Sequence, residues 1–210
     1  MRRLPLFLFG ATLIAGSLLV AWAWRITRYP IRNAPSAGRA MVAFGDSLVS
    51  GAGVKPGEEW VALLSASLKR PIVNAGVPGD TTAAAITRLD QLQELHPDLV
   101  IVLLGGNDAL QRVPPDQTVA NLRRIMTRLQ DGGAVVLLVG VRGGVIGDPY
   151  HRKFAKLARE TSAAYVPNIL DSVLGNDYLM ADELHPNFRG QRVMAERLLP
   201  TVQWLLGQDR

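Results

Sequence analysis

Leu99-Val100-Ile101-Val102-Leu103-Leu104-Gly105-Gly106-Asn107-Asp108 is the stretch that decides how this chain folds. An unbroken run of Leu, Val and Ile cannot alternate between core and solvent. A strand built from it is buried on both faces, as in a parallel sheet covered by helices. The run stops at a glycine pair followed by a polar pair, at what would be the carboxyl end of the strand. Working outward, Ala134–Val141 repeats the fully apolar pattern, and Met41–Phe44, Ile72–Ala75 and Ala164–Val166 are shorter strand candidates. Between them lie segments with helical spacing of apolar residues: Trp60–Leu68, Thr81–Leu95, Pro115–Leu129, Tyr150–Thr161 and Phe188–Leu206. Asp80 or Thr81 would cap the second of these. Strands alternating with helices predict an α/β fold around a parallel sheet.

A length of 210 residues suits one well-buried domain. The formal charge of +5 is misleading. Arg2, Arg3, Arg25 and Arg28 lie in the first 30 residues, which hold no acid; taking these four from 23 Lys and Arg leaves 19 against 18 Asp and Glu. The body is nearly neutral and offers no electrostatic footprint for nucleic acid. The absence of cysteine excludes disulfides and thiolate chemistry and speaks against structural zinc.

Leu4–Trp24 carries no charge. Its 21 residues, at ~1.5 Å each, would reach about 30 Å, the thickness of a bilayer's apolar core. Residues 1–29 are therefore expected to form a transmembrane anchor, with Trp22, Trp24 and Tyr29 at one interface. A cleaved signal peptide is the alternative, and Ala21-Trp22-Ala23 fits its cleavage site loosely. Residues 30–39 read as a linker and 40–210 as the folded domain. Arginines after the span argue for a cytoplasmic body, whereas the Arg-Arg start argues for export. The expectation is a body outside the cytoplasm of a bacterial cell, held at the inner membrane.

In open α/β sheets, sites form beyond the carboxyl ends of the strands. Four clusters fall there: Gly45-Asp46-Ser47, Asn74-Ala75-Gly76, Gly105-Gly106-Asn107-Asp108 and Val141-Arg142-Gly143-Gly144. Acyl transfer needs a nucleophile, a base, a group that orients the base, and donors for the developing oxyanion. Ser47 is the nucleophile candidate; the alternative is a serine capping a helical turn. His185 is the base candidate, with Asp182 three residues earlier to fix its tautomer. A surface turn before a helix, with Pro186 at its first position, would look the same. Asn107 could aim its amide at an oxyanion, or merely sit in a positive-φ turn. Gly76 could offer a bare N–H, or be a turn glycine.

Together and in order, these segments resemble the SGNH hydrolases, also called the GDSL esterase/lipase family. The matching blocks are Gly45-Asp46-Ser47-Leu48, Asn74-Ala75-Gly76 with Gly79-Asp80-Thr81, Gly105-Gly106-Asn107-Asp108, and Asp182-x-x-His185-Pro186. Gly-Asp-Thr and Gly-Gly-Asn-Asp point to the branch of bacterial arylesterases and thioesterase/lysophospholipase I enzymes. The resemblance implies a flavodoxin-like, three-layer α/β/α sandwich with a five-stranded parallel sheet. It implies Ser47, Asp182 and His185 as catalytic residues, and an oxyanion hole from the N–H groups of Ser47 and Gly76 with the Asn107 side chain. No metal or cofactor is implied. Ser47 lacks the Gly-x-Ser-x-Gly surroundings of α/β-hydrolases. His96 is expected to be structural or exposed, and His151 to lie on the surface.

The function expected is a serine esterase acting on aryl esters, acyl thioesters or lysophospholipids through an acyl-enzyme on Ser47. Specificity would lie in the loops Gly76–Thr82, Asn107–Pro115 and Arg142–Tyr150. Its partners would be a small-molecule or lipid ester and, through the N-terminal helix, a membrane. A carbohydrate O-acetylesterase of the cell envelope and a non-catalytic, membrane-tethered binding module are the alternatives.

Overall fold

The computed structural model describes residues 29–141 and 149–207. The elements run β1 (Met41–Gly45), α1 (Ser47–Ser50), α2 (Trp60–Leu68), β2 (Ile72–Gly76), α3 (Thr82–Ile86), α4 (Leu89–Glu94), β3 (Leu99–Leu103), α5 (Gly106–Leu110), α6 (Pro115–Asp131), β4 (Val135–Val139), α7 (Pro149–Glu160), β5 (Ala164–Val166) and α8 (Phe188–Leu205). The sheet has five parallel strands in the order β2-β1-β3-β4-β5. Met41 pairs with both Ile72 and Leu99, Leu99 with Val135, and Leu137 with Ala164.

The period-2 alternation of a strand splits each apolar run between two cores. Met41, Ala43, Leu99, Ile101, Leu103, Val135 and Leu137 face a layer formed by α1, α2 and α8, with Trp60, Leu64, Leu198 and Val202 fully buried against them. Val42, Phe44, Val100, Val102, Val136 and Leu138 face α3, α4, α6 and α7, meeting Leu89, Leu122, Ile125 and Phe154. The result is the three-layer sandwich. Edge strand β2 is the exception, with Val73 about half exposed.

Several elements depart from the expected pattern. The helix read over Thr81–Leu95 is broken into α3 and α4. Thr87 closes α3, its N–H and Oγ1 both donating to the Ala84 carbonyl, and Arg88 turns away at φ −100° and ψ 2°. Asn74, Ala75 and Gly76 lie within β2 rather than beyond it. Two helical turns, α1 and α5, follow β1 and β3 directly; both are too short to show a helical period.

The fold expectation also needs correction at the membrane. Among the described residues no helix is long and apolar enough to cross one. The transmembrane helix expected within residues 1–29, at Leu4–Trp24, lies outside the described residues. The linker stretch 30–39 is bound to the body beneath the amino ends of the strands. Asn33 Nδ2 donates to the Gln130 and Ala134 carbonyls, and Ser36, itself buried, donates to the Asp98 carbonyl. Tyr29 just before it donates its hydroxyl to the Ala163 carbonyl.

Candidate active site

Strand β1 delivers Ser47 to the carboxyl edge of the sheet. Asp46 caps the short helix α1, its Oδ1 accepting from the Leu48 N–H at 3.0 Å. This cap turns the chain so that Ser47 is the first helical residue. Its N–H, at a helix start, has no hydrogen-bond partner among the described residues.

The candidate base, His185, arrives from the other end of the chain. His185 Nε2 lies 3.1 Å from Ser47 Oγ, and its Nδ1 lies 2.9 Å from Asp182 Oδ2. The turn between them is firmly held. Asp182 Oδ1 accepts from the N–H groups of Leu184 and His185 at 2.7 and 2.8 Å. Asn187 caps α8 with its side-chain oxygen, while its amide donates to the carbonyls of Tyr178 and Met180. Helix α8 thus begins at Phe188, with Asn187 and not Pro186 as its lead-in residue.

These contacts decide the tautomer. The hydrogen bond from the His185 ring, followed by the two backbone N–H donors, pulls the Asp182 carboxyl down to about 2. An ionised carboxylate only accepts, so Nδ1 carries a proton towards it. In the neutral ring Nε2 is then an acceptor, and the Ser47 hydroxyl donates to it.

Asn107, in α5, brings its amide to the same edge. Its Nδ2 donates to the Asp80 carbonyl at 3.0 Å and, more loosely, to Asp46 Oδ2 at 3.3 Å. Asp46 is only 3% exposed. Burial, opposed by the Leu48 N–H and reinforced by the nearby Asp80 carboxylate, raises its carboxyl from 3.8 to about 6. Asp108 beside Asn107 is fully buried and accepts from the Thr82 N–H at 2.8 Å and from the Thr82 and Thr118 hydroxyls.

Gly76 does not take the place expected for it. Its N–H donates to Asn74 Oδ1 at 3.0 Å, and Asn74 Nδ2 in turn donates to the Val49 carbonyl. A Cβ on Gly76 would stand 2.3 Å from the Ser50 nitrogen, so this glycine exists to let β2 press against the α1 backbone. The glycine that reaches the site is Gly79. It holds φ +82° in the turn before α3, lines the cavity with Ser47 and Asn107, and its N–H has no partner among the described residues. The Gly79-Asp80 dipeptide was the available signal, since a glycine before a helix cap is a natural positive-φ position.

Ser47, His185, Asn107 and Gly79 open into a cavity of about 700 Å³, walled by Leu48, Ala109, Leu110, Leu170, Leu174 and Leu184. Leu110, Leu174 and Leu184 are left exposed at its rim. The expected contribution of Arg142–Tyr150 falls mostly at 142–148, outside the described residues. His96 lies exposed before β3, at the opposite sheet edge. Among the described residues no three His, Asp or Glu side chains are placed to hold a metal ion.

Comparisons with known proteins identify the family. A model of the GDSL-like lipase/acylhydrolase family matches residues 43–193. The esterase TesA of Pseudomonas aeruginosa is 33% identical over 183 residues, 81% of this chain and 91% of that protein. Thioesterase 1/protease 1/lysophospholipase L1 of Escherichia coli K12 is 31% identical over 183 residues, covering 83% of this chain and 88% of its own. A crystal structure of TesA superposes with a TM-score of 0.76 at 34% identity, over 80% of this chain and 99% of the other. The chain belongs to the GDSL-like lipase/acylhydrolase family, the SGNH hydrolases, and is a serine hydrolase of ester bonds.

Proposed function

We propose that the protein hydrolyses esters or thioesters with an apolar acyl or aryl part, such as aryl esters, acyl thioesters and lysophospholipids, through an acyl-enzyme on Ser47. The observation that carries this reading is the chain of contacts from Asp182 through His185 to Ser47, opening on an apolar-walled cavity. A hydroxyl needs an adjacent base to attack a carbonyl at neutral pH. As Ser47 Oγ attacks, its proton passes to His185 Nε2, and the Asp182 carboxylate stabilises the imidazolium.

The oxyanion formed on the substrate would meet the N–H groups of Ser47 and Gly79 and one N–H of Asn107. Asn107 would keep its 3.0 Å bond to the Asp80 carbonyl and release the longer contact to Asp46. Donors of this kind are each worth on the order of 10²–10³ in rate. His185 then protonates the leaving group, and water, activated by the same nitrogen, releases the acid. The names of the E. coli relative, thioesterase and lysophospholipase, support acyl substrates of this class. Leucines around a 700 Å³ space suit an acyl chain better than a sugar.

Hydrolysis of p-nitrophenyl esters of rising chain length tests this. The profile should peak at a medium acyl chain and collapse in Ser47→Ala. A sharp maximum at acetate would overturn the acyl-chain reading and favour acetyl removal from carbohydrate.

A further inference from the structure

One charged side chain, outside every motif block, ties together the parts of the oxyanion site. Arg88 stands at the break between α3 and α4. Its Nε and Nη2 both donate to Asp80 Oδ2, at 2.9 and 2.6 Å. Nη1 reaches the Ala75 carbonyl in β2 at 3.2 Å, and Nη2 the Gly45 carbonyl at the end of β1 at 3.3 Å. The guanidinium also lies 4.7 Å from the centroid of the Phe44 ring. Arg88 and Asp80 are only 23% and 10% exposed at their side chains. A pair this sheltered is held by geometry, because each charge has given up most of its water.

The location of Asp80 gives the pair its consequence. Asp80 follows Gly79, which lines the cavity and whose N–H has no partner among the described residues, and the Asp80 carbonyl accepts from the Asn107 amide. The turn hangs on the sheet through the Val77 N–H to the Gly45 carbonyl, the same carbonyl that Arg88 touches. Two of the three oxyanion donors, from separate chain segments, are therefore referenced to one residue, and Arg88 fastens that residue to two strand ends. The planar fork of an arginine meets a carboxylate and two carbonyls from three separate nitrogens; a lysine offers its donors from a single point and loses that reach.

We propose that Arg88 is a positioning residue for the reaction, holding Gly79 and, through the Asp80 carbonyl, Asn107 at the spacing an oxyanion requires. This rests on the hydrolase reading of Ser47. Displacing a reacting group by an ångström costs about 10²-fold, so Arg88→Ala should lower kcat by about that factor and leave KM within about twofold. Arg88→Lys, which keeps the charge and loses the fork, should lose about 10-fold.

The test is steady-state kinetics on p-nitrophenyl butanoate with wild type, Ser47→Ala, Arg88→Ala, Arg88→Lys, Asn107→Ala and the Arg88→Ala/Asn107→Ala double variant. Thermal midpoints, and inhibition by an alkyl trifluoromethyl ketone and by butanoate, are measured alongside. Because Arg88 acts through the donors, its removal should cost much less once Asn107 is gone. Affinity for the ketone, which forms an oxyanion on Ser47, should fall with kcat/KM, while affinity for butanoate stays constant. A folded Arg88→Ala with kcat within threefold of wild type, a loss confined to KM, or full additivity with Asn107→Ala would overturn the proposal. If Arg88→Ala does not fold, Arg88→Lys decides by the same criteria. Full activity in Ser47→Ala would instead refute the hydrolase site itself.

Discussion

Asp46 places a carboxyl with almost no access to water beside Ser47, and the stability of the fold should follow its titration in a way that can be isolated. It is 3% exposed, and burial raises its carboxyl from 3.8 to about 6. The folded state therefore holds the Asp46 proton more tightly than the unfolded state does. Stability from this group is fully present below about pH 4 and is lost as pH rises through about 6. With those two values, linkage gives about 2 kcal/mol more stability at pH 4.5 than at pH 7. Asp46→Asn removes the titration and leaves an oxygen able to accept from the Leu48 N–H. Urea unfolding of both proteins at pH 7 and 4.5 isolates the effect, because groups common to both cancel. The stability of wild type relative to Asp46→Asn should rise by about 2 kcal/mol on acidification. A difference that does not change with pH, or that moves the other way, would refute the reasoning.

Asp182→Asn should reverse the His185 tautomer and lower kcat by on the order of 10⁴, with little change in thermal midpoint because Asp182 is exposed; ester kinetics with a melting curve checks both, and activity within tenfold of wild type would contradict it. Gly76→Ala and Gly79→Ala should fail in opposite ways. At Gly76 a Cβ meets the Ser50 backbone at 2.3 Å and the fold must give, so unfolding in urea should show the larger loss. At Gly79 a Cβ meets nothing within 4 Å; its cost is the positive φ, about 1–3 kcal/mol, and kcat should fall further than stability implies.

The layered architecture was legible because the apolar runs at residues 41–44, 99–104 and 134–141 leave a strand no wet face. Ser47, Asn107 and the Asp182–His185 pair could be placed because each follows such a run or shares a short turn. What escaped notice depends on contacts distant in sequence. Apolar spacing runs unbroken through Ile86, Leu89 and Leu92, and nothing local reveals that Arg88 is drawn out of the helix by Asp80 and two strand carbonyls. Choosing between Gly76 and Gly79 required knowing that the Asn74 side chain reaches back to occupy the first. The 30–39 stretch has linker composition, yet Asn33 and Ser36 find carbonyls at the end of α6 and just before β4 and β3, some 60 to 100 residues away.

Alkyl fluorophosphonate labelling puts the role of Ser47 to trial, since it converts the nucleophile of a serine hydrolase into a stable adduct. The purified protein should lose esterase activity in step with the uptake of one phosphonyl group. Peptide mass spectrometry should place that group on Ser47, and His185→Ala should be labelled far more slowly. Full activity after exposure to the reagent, or inactivation with the adduct on another residue, would contradict the account.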